Sequence, residues 1–150
     1  IAANPKALWI RKPCASSCGR GIRVVTAQTA ARLAASSRSR KPLLLQRYLM
    51  SPLLLDGFKF DLRLYVAVTS FHPLRVYLYH DGLARFCTRK YSTSPKAIKS
   101  RFGHLTNFSV NKRSDSFVRN TDADADGVGS KWSLRALLRE LERRGCDPSA

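Results

Sequence analysis

The order of apolar and polar positions predicts a chain rich in short strands. Extended runs are expected at Ala7–Ile10 and again from Ile22 to Val25, where β-branched residues recur. The turn-rich segment Lys12–Gly21 lies between them and gives the strand–loop–strand order of a flap over a ligand. Ala27–Ala35 is Ala-rich and favours a short helix. The basic, Ser-rich stretch Ser36–Lys41 is expected to be a mobile loop.

The middle of the chain predicts an antiparallel meander. Leu43–Leu49 is apolar and then mixed, which fits a central strand that leaves the core. Asp56-Gly57 is a strong hairpin signal, and the next run alternates so as to predict a buried strand from Leu62 to Thr69. A second hairpin turn is expected at Asp81-Gly82. The predicted fold class is therefore α/β (α+β), with an antiparallel β-meander and flanking helices.

The last part of the chain predicts a linker and a helix. Tyr91–Arg101 is polar and irregular, and Lys112–Gly129 is rich in Asp, Asn and Gly. Ser130 is the expected N-cap of a helix whose apolar positions fall mainly on one face, with Gly145 as its C-terminal cap. The alternating acids Asp122, Asp124 and Asp126 resemble a calcium loop. Calcium binding is not expected, because Ser133 stands where the bidentate Glu is required.

Composition limits the class of protein. The chain has 150 residues with 44% hydrophobic content, which suits one domain with a real core and argues against global disorder. No apolar stretch is long enough to span a bilayer, and no signal peptide is recognised at the start. Because the chain begins at Ile1 and ends shortly after a predicted helix, we expect a fragment of a longer protein.

Charge and cysteine usage narrow the partners and the compartment. The net charge is +17, and only three of the ten acids precede Arg113. The basic part should attract nucleic acid, nucleotide phosphates or an acidic protein surface, and charge alone does not choose among them. The four cysteines lack the spacing of a zinc site, so we expect mostly free thiols in a reducing compartment: Cys14, Cys18, Cys87 and Cys146.

Three charged side chains within five residues mark the strongest candidate site. Lys59, Asp61 and Arg63 lie where the sequence turns apolar, and such charges are costly to desolvate without a partner. Asp61 and Arg63 lie two apart on one strand, so both side chains leave the same face. An ion pair of Asp61 with Arg63 or with Lys59 explains the cluster as well as a charged ligand does.

Two loops add polar groups. Lys12 precedes the loop Gly19-Arg20-Gly21, where glycines permit a close approach of phosphates, although a simple turn explains Gly-Arg-Gly better when it is taken alone. In the second loop, His104 is more typical of a neutral packed histidine than of a base. Thr106 and Asn107 suit either a local cap or a phosphate contact. With so few acids, the chain offers poor coordination for Mg²⁺.

The motifs WIRKP, GRGI, QRYL, KFDLRLYV, DGLARF, HLTNFSVNK and KWS occur in this order from about Trp9 to Gly145. In this series the chain resembles the tubulin–tyrosine ligase-like family, most closely its polyglutamylases. The resemblance implies an ATP-grasp-like fold, of which residues 1–150 would be the central part, truncated at both ends. It also implies that ATP is used to join an amino acid to tubulin tails.

The resemblance implies a role for each matching position. The catalytic residues would be Arg63 and Lys12. Nucleotide contacts are implied for Lys12, Arg20, Gly21, Gln46, Arg47, Tyr48, Leu49, Lys59, Phe60, Asp61, Thr106 and Asn107. Contacts with the incoming glutamate or the acceptor peptide are implied for Arg20, Arg63, Phe108, Ser109 and Lys131. The Mg²⁺ ligands are expected beyond residue 150 and none within this chain, so the chain should be inactive alone.

The chain departs from the family pattern in the flap and the amino-acid site. Cys18 stands where relatives often carry Arg, and Phe108 replaces the usual Tyr. The implied partners are acidic tubulin tails and free L-glutamate, with no membrane, in the cytoplasm and cytoskeleton or at a cilium or basal body. Arg63 and Lys131 favour glutamate over glycine or tyrosine, because a second carboxylate needs a second cation. A nucleic-acid-binding module and a non-catalytic microtubule-binding remnant remain as alternatives.

Overall fold

The structure is a computed structural model that describes residues 4–36, 42–120 and 126–146. Two antiparallel sheets and a few helices make up the described part. The elements are, in order, β1 Leu8–Pro13, β2 Arg23–Thr26, α1 Ala27–Ala35, β3 Leu43–Arg47, β4 Leu54–Leu55, β5 Phe58–Phe71, β6 Leu74–Phe86, α2 Phe108–Asn111, β7 Lys131–Ser133 and α3 Leu134–Arg143. Short 3-10 turns occur at Ala97–Lys99 and Arg101–Gly103. The predicted fold class is confirmed, and the arrangement is consistent with a partial ATP-grasp-like domain.

The first sheet has the strand order β2-β1-β3. Its core is small and contains the buried side chains of Leu8, Val24 and Tyr48. The predicted helix α1 is confirmed at its predicted bounds, and the Thr26 hydroxyl caps it by accepting a hydrogen bond from the Thr29 amide at 3.3 Å. The prediction of a central strand at 43–49 is wrong within the described residues, where β3 pairs with β1 alone and Leu44 is 51% exposed. An apolar run specifies an extended segment but not the number of its neighbours.

The second sheet has the strand order β4-β5-β6-β7. The predicted turn at Asp56-Gly57 is confirmed, because Leu55 pairs with Phe58 and both turn residues have positive φ, 51° and 82°. This is the backbone twist that a two-residue hairpin requires. The meander therefore begins as the sequence predicts.

The second predicted turn, at Asp81-Gly82, is wrong. Strand β6 runs through both residues, and the register shifts there by a bulge, between the pairs Leu64–Gly82 and Val66–Leu78. A Cβ atom at position 82 would lie 2.7 Å from the Arg63 carbonyl oxygen, so glycine serves close strand approach here rather than a turn. The Asp81 carboxylate accepts a hydrogen bond from the Gly82 amide at 2.8 Å and pairs with Arg135 at 3.2 Å.

The prediction of a buried strand from Leu62 to Thr69 is also wrong in part. The strand exists, but all its residues in that range are exposed, and Val66 is 56% exposed. We call residues 58–61 and 83–86 the hairpin root, and residues 66–71 and 74–78 the hairpin tip. The root is half-buried or buried, whereas the tip is exposed except for the half-buried Ser70. Alternation predicted the strand but not the absence of a covering layer in the described residues.

Helix α3 covers the root. Leu137 is 1% exposed and packs with Leu55, Ala84 and Phe86, and Trp132 packs against the same cluster. The amphipathic helix and its end are confirmed, since Gly145 has φ +78° and donates to the Glu142 carbonyl.

The predicted N-cap at Ser130 is wrong. Ser133 caps α3 instead and accepts a hydrogen bond from the Ala136 amide at 3.0 Å. The reason is that Lys131–Ser133 pairs with β6 as strand β7, which postpones the start of the helix. Ser130 also pairs with the sheet and not with the helix, since its carbonyl accepts a hydrogen bond from the Phe86 amide at 3.0 Å.

The remaining sequence expectations concern loops and thiols. Residues 91–101 are largely irregular, as predicted. The expected mobile loop falls mostly on residues 37–41, and Asp122 and Asp124 of the calcium-like series also lie outside the described residues. All four cysteines are free, and burial raises the pKa of the Cys87 thiol to about 12. None of the helices in the described ranges has the length and apolarity needed to cross a membrane.

Candidate functional site

The residues of β5 alternate between two faces of the sheet, one that packs in the core and one that carries charged side chains. Phe60 points into the core, with its ring 5.5 Å from that of Phe86. Lys59, Asp61 and Arg63 occupy alternate positions and so share the opposite face, which the sequence predicted for Asp61 and Arg63. The registers Asp61–Arg85 and Arg85–Lys131 add one residue of β6 and one of β7 to this face. We call it the polar face of the sheet.

The carboxylate of Asp61 is paired with Arg85. Arg85 donates two hydrogen bonds to it, at 2.9 and 2.6 Å, and this pairing raises the pKa of the guanidinium. The alternative of an internal pair with Arg63 or Lys59 is therefore wrong in this conformation. Sequence reasoning did not single out Arg85, which is 24 positions away. The structure places Arg85 on the polar face through the register Asp61–Arg85, which the sequence does not specify.

A cavity of about 670 Å³ lies between β1, β3 and the start of β5. We call it the hinge cavity. It brings together Lys12, residues 46–49 and Lys59, for all of which the family resemblance implies nucleotide contacts. The Lys12 ammonium donates to the Gln46 side-chain oxygen at 2.8 Å. This volume lies in the range typical of small-molecule sites.

Lys59 is held at the back of the hinge cavity by a hydrogen-bonded network. Its ammonium donates to the Tyr48 hydroxyl at 3.2 Å and to the His104 carbonyl at 3.1 Å. The Tyr48 hydroxyl also contacts His104 Nδ1 at 3.0 Å. Burial lowers the pKa of Lys59 and of His104 and raises that of Tyr48. His104 is 3% exposed, in agreement with the expectation of a packed, neutral histidine.

A second cavity, of about 300 Å³, opens on the polar face, and we call it the cationic cavity. It gathers the predicted residues Arg63, Thr106, Phe108 and Lys131, together with Arg85. The Arg63 guanidinium lies 5.5 Å from the centre of the Tyr65 ring. Within the described ranges, no carboxylate forms an ion pair with Arg63 or Lys131. Two cations in one cavity are suited to a ligand with two carboxylates.

The flap, residues 14–21, rests on the first turn of α2 and on Asn107, the residue before it. The Ser109 hydroxyl donates to the Cys18 carbonyl at 2.7 Å, and a Cβ atom on Gly19 would lie 2.9 Å from the Asn107 side-chain oxygen. Arg20 is exposed and donates to the Ser17 hydroxyl at 3.2 Å. Gly21 has φ +73° and passes close to Pro13.

Six predicted site residues lie outside the lining of the hinge and cationic cavities. They are Arg20, Gly21, Phe60, Asp61, Asn107 and Ser109. Asn107 and Ser109 contact the flap instead, and Asp61 binds Arg85, which lines the cationic cavity.

Asn111 organises the loop between the cavities. It is 1% exposed, accepts hydrogen bonds from both the amide and the hydroxyl of Thr88 at 3.0 Å, and donates to the Leu105 carbonyl at 2.6 Å. These bonds tie α2 to the strand end and fix residues 105–107 beside Lys59. The sequence marked this motif as polar but gave no sign that Asn111 is its buried centre.

The described ranges contain no group of three or more His, Cys, Asp or Glu side chains that could hold a metal ion. Asp61, the acid on the polar face, has its carboxylate bound by Arg85. The donor set present therefore does not fit a magnesium site, and no chemical step is assigned to a metal on these residues.

The sequence matches known proteins over nearly its whole length. The model of the family described as Tubulin-tyrosine ligase family matches residues 2–150. Human "Tubulin polyglutamylase TTLL5" is 46% identical over 142 residues, which are 95% of this chain and 11% of that protein. Mouse "Tubulin monoglutamylase TTLL4" is 47% identical over 142 residues, again 95% and 11%. Caenorhabditis elegans "Tubulin polyglutamylase ttll-5" is 48% identical over 140 residues, 93% and 18%. The chain spans less than a fifth of the length of each of these relatives.

Proposed function

Because the chain belongs to the tubulin-tyrosine ligase family, we propose that it forms part of an ATP-dependent ligase that adds glutamate to glutamate side chains of tubulin tails. The names of its relatives, which include tubulin polyglutamylases and a monoglutamylase, support this substrate class. Residues 1–150 would supply the central part of the ATP-grasp domain. The microtubule cytoskeleton, including a cilium or basal body, is the proposed place of action.

The hinge cavity is the proposed nucleotide site. Lys12 and Lys59 would neutralise phosphate charge from two sides, while the backbone of residues 46–49 would hold the base. Thr106 and Asn107 would add contacts from the loop that Asn111 fixes. Arg20 and Gly21 would cover the phosphates from the flap. Phe60 would not contact the nucleotide directly. Its packing in the core would hold the neighbouring Lys59 and Asp61 on the polar face.

The cationic cavity is the proposed site of the free glutamate. Arg63 would bind one carboxylate in a bidentate manner and Lys131 the other. Phe108 supplies an apolar wall, edge-on to Phe117 at 5.7 Å, and Ser109 a hydroxyl at the flap side. The single observation that carries the proposal is this pair of cations, which have no carboxylate partner in the described residues and lie on the same polar face as Lys59.

The proposed chemistry needs positioning more than acid–base catalysis. An acceptor carboxylate is activated as an acyl phosphate at the expense of ATP, and the amine of free glutamate then displaces phosphate to form the amide. Arg63 and Lys131 would orient that amine, and Lys12, Arg20 and Lys59 would offset the charge that develops on phosphate oxygens. The net charge of +17 would favour encounter with acidic tails. Magnesium ligands are expected outside the described residues.

Incorporation of labelled glutamate into tubulin by the full-length protein tests the proposal. Arg63→Ala should abolish incorporation and weaken glutamate binding, because one carboxylate loses its cation. Arg75→Ala removes an equal charge from the exposed tip and is the matched control. An Arg63→Ala variant with unchanged affinity for glutamate would show that the cavity is wrongly assigned.

We expect the cationic cavity to select glutamate over glycine and tyrosine. We expect unlabelled glutamate, and neither glycine nor tyrosine, to compete with the labelled substrate. The physical reason is Lys131, which would have no carboxylate to bind on either competitor. Competition by glycine at equal concentration would favour a glycine ligase.

A further inference from the structure

The side chain of Asn111 is polar but lies as deep as the hydrophobic core. Among the described residues, the two largest side chains that are less than 2% exposed are those of Asn111 and Leu137. Burial of an amide is costly unless its hydrogen bonds are completed inside the protein. The partners of this amide therefore show which segments it holds together.

The amide of Asn111 uses its whole hydrogen-bonding capacity. Its oxygen accepts from the backbone amide and from the hydroxyl of Thr88, both at 3.0 Å. Its nitrogen donates to the Leu105 carbonyl at 2.6 Å and to the Asn107 carbonyl at 3.1 Å. A backbone amide only donates and a carbonyl only accepts, so these partners also fix which way the side-chain amide points.

On its oxygen side, the amide is tied to the strand that carries Lys59. Thr88 directly follows Cys87, whose backbone amide donates to the Lys59 carbonyl at 2.8 Å. The Thr88 side chain is itself buried, with 7% exposure. The position of Asn111 is therefore set relative to β5 through a short and buried connection.

On its nitrogen side, the amide holds the loop on both sides of Thr106. The two carbonyls that it binds belong to Leu105 and Asn107, the residues before and after Thr106. Thr106 is half-buried and lines the cationic cavity. A single side chain thus determines where the backbone of Thr106 lies relative to β5.

Helix α2 is too short to hold this loop by its own stability. It has four residues, and the side chain of its N-cap residue, Asn107, makes no capping hydrogen bond. Helices of this length are not stable in water, because the entropy cost of nucleation exceeds the gain from one turn of hydrogen bonds. The buried amide of Asn111 provides the fixed geometry that the helix alone lacks.

We propose that Asn111 is a positioning residue for the nucleotide, which sets the spacing between Lys59 and Thr106 without touching the substrate. This inference rests on the proposed function, in which both of these residues contact ATP. ATP binding should depend on the amide more than glutamate binding does. The reason is that the two carboxylates of glutamate are assigned to Arg63 and Lys131, on β5 and β7, to which the amide of Asn111 makes no hydrogen bond.

Two substitutions of Thr88 test the hydrogen bond without changing any charge. Thr88→Val keeps the shape of the side chain and removes the hydroxyl, so it should raise the KM for ATP about three- to ten-fold and leave kcat within about two-fold. The KM for glutamate at saturating ATP should change by less than about two-fold. Thr88→Ser keeps the hydroxyl and should resemble the wild type. The measurement is glutamate incorporation by the full-length protein at varied ATP and at varied glutamate.

The opposite order at Thr88 would overturn the proposal. A defect in Thr88→Ser with normal kinetics in Thr88→Val would show that packing of the methyl group matters and the hydrogen bond does not. Equal increases of both KM values in Thr88→Val would show a general loss of structure.

Asn111→Leu removes all four hydrogen bonds at nearly constant volume and should raise the KM for ATP more than Thr88→Val does. Leu137→Ala is the control for burial, because it should lower stability and leave the KM for ATP unchanged. A rise of the KM for ATP in Leu137→Ala as large as in Asn111→Leu would overturn the proposal. If Asn111→Leu does not fold, the two substitutions of Thr88 still decide.

Calorimetric titration of the full-length protein with AMP-PNP, a non-hydrolysable ATP analogue, separates this inference from the proposed function. A wild type that binds AMP-PNP but adds no glutamate to tubulin would refute the ligase, whereas weaker binding in Thr88→Val would still support the role of Asn111. A wild type that adds glutamate, with unchanged AMP-PNP affinity in Thr88→Val and Asn111→Leu, would overturn the positioning role alone. A wild type that does not bind AMP-PNP would overturn both.

Discussion

The root and the tip of the β5–β6 hairpin share one backbone and one alternating pattern but differ in what covers them. At the root, α3 and β7 bury one face, and the polar side chains on the other face line the proposed site. At the tip, apolar side chains such as Val68 and Leu78 are 45% and 64% exposed. The comparison shows that alternation of side chains gives a strand two faces, whereas the elements that pack against it determine which face is buried.

The same difference in covering explains why the proposed site lies at the root and not at the tip of the hairpin. Asp61 and Arg85 are partly shielded by the layers around the root, so their hydrogen bonds are stronger than those of solvent-exposed ion pairs. Arg75 at the tip is exposed and has no ion pair in the described residues. A cation becomes a ligand-binding group when its neighbours limit its rotamers and its hydration.

The largest expected difference between root and tip is in packing. Leu137→Ala should lower the free energy of unfolding by about 2–5 kcal/mol, because it removes a side chain that is 1% exposed. Leu78→Ala, the same change at the tip, should cost less than about 0.5 kcal/mol. Urea unfolding of both variants measures the contrast. A comparable loss in Leu78→Ala would reveal that another surface covers the tip.

A smaller effect is expected at the boundary between root and tip. Gly82→Ala should destabilise the protein by about 1–3 kcal/mol, because the new methyl group would lie 2.7 Å from the Arg63 carbonyl oxygen. It should also raise the KM for glutamate, since the backbone that carries Arg63 must shift. Ala67→Ser adds one heavy atom at the tip and should leave both quantities unchanged. Normal stability in Gly82→Ala would mean that the strands separate freely there.

The ion pair of the root should contribute less than its packing. Arg85→Ala leaves Asp61 without its two hydrogen bonds and should cost about 1 kcal/mol, a value reduced for the partial exposure of both side chains. Thermal unfolding compared with Arg75→Ala gives the difference. Equal melting temperatures for the two variants would show that the pair does not stabilise the root.

The pH dependence should be the smallest effect at neutral pH. Burial and the neighbouring Lys59 lower the pKa of His104, so the unfolded chain binds its proton at a higher pH than the folded one. The contribution of neutral His104 is therefore complete above about pH 6.5, its ordinary value, and is lost as the pH falls toward the lower folded value. Denaturant unfolding between neutral and mildly acidic pH should show this loss in the wild type and a flatter profile in His104→Gln.

Local signals in the sequence predicted local structure well. The Ala-rich composition and the Thr26 cap define α1, and the positive φ values at Asp56 and Gly57 match their residue types. Asp81-Gly82 has the same letters and is not a turn, because long-range pairing of β6 with β5 determines its conformation. Tertiary contacts thus decide which local preference is used.

The site was predictable where side-chain parity or the family resemblance applied. Parity placed Asp61 and Arg63 on one face, but the partner of Asp61 came from a strand whose register the sequence does not specify. The burial of Asn111 and the hydrogen bonds that connect Lys59, Tyr48 and His104 arise where separate segments of the chain meet. Periodicity within one segment therefore cannot predict them. The nucleotide and glutamate roles remain predictions.

The hydrogen bond from the Ser109 hydroxyl to the Cys18 carbonyl joins two segments 91 positions apart. The flap is proposed to cover one substrate, and the loop at Ser109 is proposed to hold the other. The binding of the two substrates would then be thermodynamically linked. The substrate that binds first orders both segments, so the second substrate binds with a smaller loss of conformational entropy. In steady-state kinetics this linkage predicts double-reciprocal lines that intersect above the horizontal axis, and a KM for glutamate that falls as ATP rises.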